Sequence, residues 1–296
     1  MNRRLVGLIS ALLLLPVFAL PVSAVKAEIS IGFNPAENAE LVEMNGKAFS
    51  EYFRKQMGLK VKTFVATDYI ALVEALRSGK IDFAFLPPFS LVKAEQIADA
   101  QVLMKAVRKG KSVFYSAIIV RADKPYYKIE DLKGKNIAWV DPASASGFIY
   151  PKAMLKVKKK LDADSFFGRQ VFAGAHDAVV LSVLNGTVDA GATFVNDTKG
   201  EDGAWHLFLK TEAERKKIRM IFVSDPIPGE TISTTKKFAK ENREILDKFV
   251  QLLGKMGDTK EGREVLMALY RIESLTPATS KEFQPVRDAA KAIHIE

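Results

Sequence analysis

Short apolar runs of β character alternate along this chain with stretches whose apolar residues recur at helical spacing, and the series occurs twice. Ile29 to Phe33 is followed by Leu41, Ala48, Phe49, Tyr52 and Phe53, then by Val61 to Val65. Strand, helix, strand in that order is the unit of a parallel sheet, because parallel neighbours need a crossover long enough to hold a helix. The next helix has Thr67 or Asp68 as N-cap, Tyr69, Leu72, Val73 and Leu76 on its stripe, and Gly79 just past its end, with a strand at Ile81 to Leu86 behind it. After a strand-like Val113 to Val120, a second series opens at Asn136 to Val140. It continues through a helix at Phe148 to Leu161, a strand at Gln170 to Ala173, a helix at His176 to Leu184 and a strand at Asp189 to Phe194. Ile218 to Val223 and helical segments around Phe249 and Leu266 complete the chain.

Two such series predict an α/β protein with two Rossmann-like lobes and a cleft between them. Ala122 to Pro125 and Ser224-Asp225-Pro226 read as the two points where the chain passes between lobes. Lobe 1 is then 28–121 plus 226–296 and lobe 2 is 122–225.

The first 27 residues read differently. Arg3 and Arg4 precede an apolar stretch from Leu5 to Leu20, broken by Pro16, and the small-residue triplets Val22-Ser23-Ala24 and Val25-Lys26-Ala27 follow. This is the pattern of a secretory signal peptide, with cleavage expected after residue 24 or 27. The unbroken run falls short of the ~20 residues of a spanning helix. The chain has no cysteine, which excludes an acylated lipoprotein anchor and any disulfide framework. A freely soluble periplasmic protein is the expectation.

Lys and Arg number 44 against 35 Asp and Glu, and the surplus survives removal of Arg3, Arg4 and Lys26. Such a charge concentrates anions. The basic runs Arg108 to Lys111, Lys156 to Lys160 and Arg215 to Lys217 lack interleaved aromatics, so they read as solvated faces and not as a nucleic-acid surface.

Asp141-Pro142-Ala143-Ser144-Ala145-Ser146-Gly147 lies between a predicted strand and a helical run. A helix start offers unpaired N–H groups and partial positive charge, Ser144 and Ser146 add hydroxyls, and Gly147 permits close approach to the backbone. An N-cap role for Ser144 fits the fragment equally well. Pro151 would break a hydrogen bond in a continuous helix from Ser144, which predicts a distorted first turn. His176, in Gly174-Ala175-His176-Asp177, opens another helix, where capping is the simpler reading and donation to an anion the functional one. Tyr69 sits on an apolar stripe but in a first turn, Tyr115 is a strand aromatic, and Glu230 is a loop carboxylate. Enzymatic templates fit poorly. Gly110-Lys111-Ser112 lacks the earlier glycine of a phosphate-binding loop, no nucleophile elbow surrounds Ser144 or Ser146, and three dispersed histidines without cysteine make no zinc pattern.

Thr67-Asp68-Tyr69, Gly79-Lys80-Ile81-Asp82-Phe83-Ala84, Asp131-Leu132-Lys133-Gly134-Lys135, Ser144-Ala145-Ser146-Gly147, His176-Asp177-Ala178 and Asn185-Gly186-Thr187-Val188-Asp189-Ala190-Gly191 occur in one order. Together they resemble the phosphate/phosphite/phosphonate-binding proteins of ABC importers, from about Ile29 into the C-terminal helices. The resemblance implies a two-lobed periplasmic solute-binding (type II) clamp that needs no cofactor or metal, acts as a monomer and hands its ligand to a membrane permease. It implies that ligand oxygens are held at Ser144, Ala145, Ser146 and Gly147, that Tyr69, Tyr115 and His176 reach the ligand, and that Glu230 accepts a hydrogen bond from it. Ala145 replaces the family's usual threonine, and Asn196 stands where an aminoalkylphosphonate binder would carry a second acid. A phosphite, alkylphosphonate or phosphate ligand is therefore expected. The competing expectations are a serine hydrolase using Ser144 or Ser146 with His176, and a periplasmic anion-sensing module.

Overall fold

The structure, a computed structural model, describes residues 26–295; apart from Lys26 and Ala27, the expected signal peptide lies outside the described residues. Twelve strands are described: β1 (Glu28–Phe33), β2 (Lys60–Val65), β3 (Phe83–Leu86), β4 (Ala100–Val107), β5 (Val113–Arg121), β6 (Ile137–Trp139), β7 (Gln170–Phe172), β8 (Ala190–Val195), β9 (Ile218–Val223), β10 (Ile227–Pro228), β11 (Thr231–Thr235) and β12 (Ser274–Pro277). They form two six-stranded sheets. The first runs β2-β1-β3-β11-β4-β12; the second runs β7-β6-β8-β5, with β9 and β10 also paired to β5. Each has a parallel part, β2-β1-β3 and β7-β6-β8, joined to antiparallel strands. The twofold βα series thus folds into two mixed α/β lobes.

The crossings lie elsewhere than expected. β5 belongs to the second sheet, so the outward crossing is a tight turn at Arg108–Lys111 in which Lys109 and Gly110 take φ of 49° and 70°. The return is Gly229-Glu230, between β10 and β11. Both segments expected to be crossovers are instead tied into lobe 2: Ala122 N–H donates to the Lys217 carbonyl, Arg219 donates to the carbonyls of Ala122, Lys124 and Tyr126, and Ser224 N–H donates to the Ser116 carbonyl. The two true crossings lie side by side, with Gly229 N–H donating to Ser112 and Ala106 N–H to Glu230. A Cβ on Gly229 would stand 2.6 Å from the Ala106 carbonyl oxygen, so the pair packs this closely only with glycine there.

One core fills lobe 1 with an aromatic cluster that includes Phe33, Phe49, Phe53, Phe83, Phe85 and Phe249. The other runs from the helix Tyr69–Arg77 of lobe 1 through lobe 2. It stays continuous because the C-terminal helix Gln284–Ala292, in the segment assigned to lobe 1, packs against both the lobe 1 helix Pro88–Ile97 and the lobe 2 helix Tyr150–Lys159. The chain therefore contacts the second lobe a third time. No helix among the described residues is long and apolar enough to cross a membrane.

Candidate functional site

Between the lobes lies a cavity of ≈ 290 Å³, walled by residues of both. Its serine-bearing wall follows directly from the sequence around Pro151. Residues Ala145–Ile149 form a π-helical turn, with Ile149 N–H donating to the Ser144 carbonyl and Tyr150 N–H to that of Ala145, and the α-helix Tyr150–Lys159 continues from it. The next amide in that register belongs to Pro151 and does not exist, which leaves the Ser146 carbonyl without its helical donor. Ser116, fully buried on β5, supplies the substitute through an Oγ donation of 2.6 Å. Val140 N–H satisfies the neighbouring carbonyl of Gly147. The distortion expected from Pro151 is present, and the lobe 2 sheet holds it.

Ser144 is the N-cap of this turn, its Oγ accepting from Gly147 N–H at 3.0 Å. Its own proton remains free to donate into the cavity, which Ser144, Ala145 and Ser146 all line. Gly147 does not line it. A Cβ there would meet the Val140 side chain at 2.4 Å, so helix–strand packing requires this glycine. Tyr115 is also absent from the wall; Phe114 lines the cavity in its place, because successive strand side chains face opposite sides.

Tyr69 is the first residue of the helix Tyr69–Arg77, capped by Asp68 Oδ1 accepting from Ala71 N–H at 2.7 Å. The residue lines the cavity with its ring buried, and its hydroxyl, like Asn34 Oδ1, is buried without a well-formed hydrogen bond among the described residues. Two orphaned polar atoms at one cavity are costly unless something binds between them. Burial pushes the Tyr69 phenol well above its ordinary range, so it stays a donor. His176 begins its helix, and its amide crosses the cleft to the Ala36 carbonyl at 3.0 Å. Its Nδ1 lies 2.9 Å from Thr193 Oγ1, and burial pushes the imidazole down to about 4, against a weaker opposing pull from Glu230. The ring is neutral at pH 7, so it presents one N–H and one lone pair. Neither Ser144 nor Ser146 is hydrogen-bonded to it.

The charged wall was hidden in the sequence. Arg108, first residue of a run read as a solvated face, donates Nε and Nη2 to the Tyr270 carbonyl and Nη1 to Glu230 at 2.6 Å. Glu230 sits in the return crossing itself. Arg271, in the left-handed region at a helix C-terminus, reaches both oxygens of buried Glu37 at 2.7 and 2.8 Å. Burial nonetheless raises the Glu37 carboxyl, with Arg271 opposing. Lys109 pairs with Asp202 at 2.8 Å, and Asn196 donates both its amides to that residue. Glu230, Asn196 and the turn glycine at position 110 mark part of this region in the sequence; nothing local to Arg271 or Glu37 pairs them. Among the described residues no group of His, Asp and Glu gathers in metal-binding geometry.

Comparison with known proteins gives one answer. The family described as "ABC transporter, phosphonate, periplasmic substrate-binding protein" matches residues 31–283. The phosphonates-binding periplasmic protein of Escherichia coli is 30% identical over 81% of this chain and 70% of its own length. The phosphate-import protein PhnD of Mycolicibacterium smegmatis is 29% identical over 88% and 84%. In fold, the chain is similar to PhnD1 of Prochlorococcus marinus in complex with methylphosphonate, with a TM-score of 0.78 at 19% identity over 90% of this chain and 98% of that one. It is likewise similar to an ABC phosphonate transporter binding protein of Pseudomonas aeruginosa, with a TM-score of 0.77 at 23% identity over 88% and 85%. The aliphatic sulphonate binding protein SsuA of E. coli is more distant, with a TM-score of 0.56 at 16% identity over 92% and 76%. By its sequence and its fold, the chain belongs to the periplasmic substrate-binding protein family of phosphonate ABC transporters.

Proposed function

We propose that this protein captures a small phosphorus oxyanion between its lobes and delivers it, chemically unchanged, to the membrane permease of an ABC importer. The observation that carries the reading is the donor-rich wall: the Ser144 and Ser146 hydroxyls, the amides at the start of the π-turn, the unpartnered Tyr69 hydroxyl and the neutral His176 ring all meet one cavity. Such donors suit an anion whose negative charge spreads over several oxygens. Glu230 supports a singly protonated ligand. Arg108 engages its Oε2, leaving Oε1 to accept from a P–OH, whereas sulfate has no proton to offer and would meet a carboxylate directly. Ligand contacts from both lobes favour closure about the paired crossings.

Export with cleavage after Ala24 fits the fold better than cleavage after Ala27. Lys26 pairs with the buried carboxylate of Asp82, and the Ala27 carbonyl accepts from Lys60 N–H, so both residues are tied to the first lobe. The monomeric protein beginning at Val25 is the one to test. Calorimetry should show stoichiometric, reversible binding of at least one phosphorus oxyanion with no product formed, and rejection of sulfate. Turnover of the ligand, or no affinity for any phosphorus oxyanion, would sink this function.

A further inference from the structure

We infer that the ligand carries an apolar substituent of several heavy atoms on phosphorus, an alkyl or aryl phosphonate and not bare phosphate or phosphite; this rests on the function proposed above. Size is the first argument. A tetrahedral oxyanion fills about two to three water volumes of ~30 Å³ each, and the cavity holds ≈ 290 Å³. Most of it is left over once the oxyanion is placed.

The remaining wall has the wrong chemistry for water. Phe85, Pro87 and Pro88 line it from lobe 1 and Phe114, Phe194 and Phe208 from lobe 2. The Phe194 ring stands edge-on to the His176 imidazole at 5.0 Å and to Phe208 at 6.3 Å between centroids. The apolar wall therefore begins beside a proposed oxygen partner, where a substituent on phosphorus would start. Leu207 and Met267, on opposite lobes, also line the cavity, yet they are 36% and 45% exposed. Large apolar side chains that line a cleft from both lobes and are left in water are what an apolar group would cover.

The charged lining favours a neutral substituent. Arg108 pairs with Glu230, Arg271 with Glu37 and Lys109 with Asp202, while Glu273 accepts from Gly110 N–H and faces Lys109. An ammonium-bearing tail would have to break one of these arrangements to find a counter-ion.

The test is calorimetry on the chain from Val25, with phosphate, methyl-, ethyl-, propyl-, butyl- and phenylphosphonate, and 2-aminoethylphosphonate. Each methylene that leaves water should tighten binding about fourfold, so propylphosphonate should bind about tenfold or more tighter than methylphosphonate, and phenylphosphonate tighter than either phosphate or methylphosphonate. Leu207→Asn should shrink the propyl-to-methyl ratio at least threefold. Affinity that is flat or falls with chain length while phosphate or methylphosphonate binds would overturn the apolar tail and leave the oxyanion function standing. Tighter binding of 2-aminoethylphosphonate than of propylphosphonate would overturn it too. Refusal of the whole series would overturn both.

Discussion

Ser116→Ala removes one oxygen atom and tests the account of the π-turn. The hydroxyl is the donor, at 2.6 Å, to a Ser146 carbonyl that Pro151 cannot serve, and the residue is fully buried. Leaving a buried acceptor unmade costs about 1–3 kcal/mol. At roughly 2–4 °C per kcal/mol for a protein near this size, the melting temperature should fall by about 2–12 °C. Pro151→Ala alone should be nearly neutral, losing about 0.4–1 kcal/mol through a looser unfolded chain. It also supplies the amide whose register, continued from Ile149 and Tyr150, points at the Ser146 carbonyl. In the double mutant the new amide at position 151 should therefore take over the donation, and the cost of Ser116→Ala should shrink to less than half. Urea unfolding of the four proteins of this cycle, without ligand, measures the coupling directly. Additivity to within about 0.5 kcal/mol would show that the serine does not replace the amide missing at Pro151, and the derivation of this wall from the sequence would fail.

Three further outcomes are expected. Ser144→Ala combined with Ser146→Ala should weaken oxyanion binding by at least ~1 kcal/mol per lost charged hydrogen bond with the fold retained; undiminished affinity by calorimetry would remove these serines from the site. Glu230→Gln should lose affinity for the singly protonated ligand and much of the discrimination against sulfate, and a wild type that already binds sulfate well would contradict the role given to this carboxylate. Because burial holds the folded His176 at about 4, below the ordinary ~6.5, the unfolded chain binds the extra proton between those values. The contribution of the neutral ring is then complete above pH ~6.5 and lost as pH falls toward 4, on the order of 3 kcal/mol in all; His176→Asn should flatten that part of the stability profile, and an unchanged acid slope would argue against a neutral buried ring.

Local physics made much of this protein legible. Asp68 caps its helix as its side-chain chemistry requires, and Ser144 is a cap that also lines the cavity. His176 likewise opens a helix and lines the cleft. What sequence could not carry was pairing over distance. β4 and β5 are consecutive in the chain with only the turn at Arg108–Lys111 and Ser112 between them, and which sheet each joins depends on partners 70 or more residues on. The same distance hid Glu37 from Arg271. The expectation for Tyr115 falls beside Phe114, the strand residue that lines the cavity, and in a strand one position changes the face.

The strand that completes the first sheet comes late. β11 lies between β3 and β4, pairing Thr231 with both Leu86 and Lys105, so it is made only after the whole of the second sheet's path from β5 to β10. Until it arrives, the edges of β3 and β4 stay unpaired, whereas strands β5 to β10 are contiguous in sequence. The order of assembly follows: the interrupted lobe must wait for the continuous one, since long-range pairing forms slowly. The helix Gln284–Ala292 then seals both, so a binding-competent cleft exists only once nearly the last residue is available to fold.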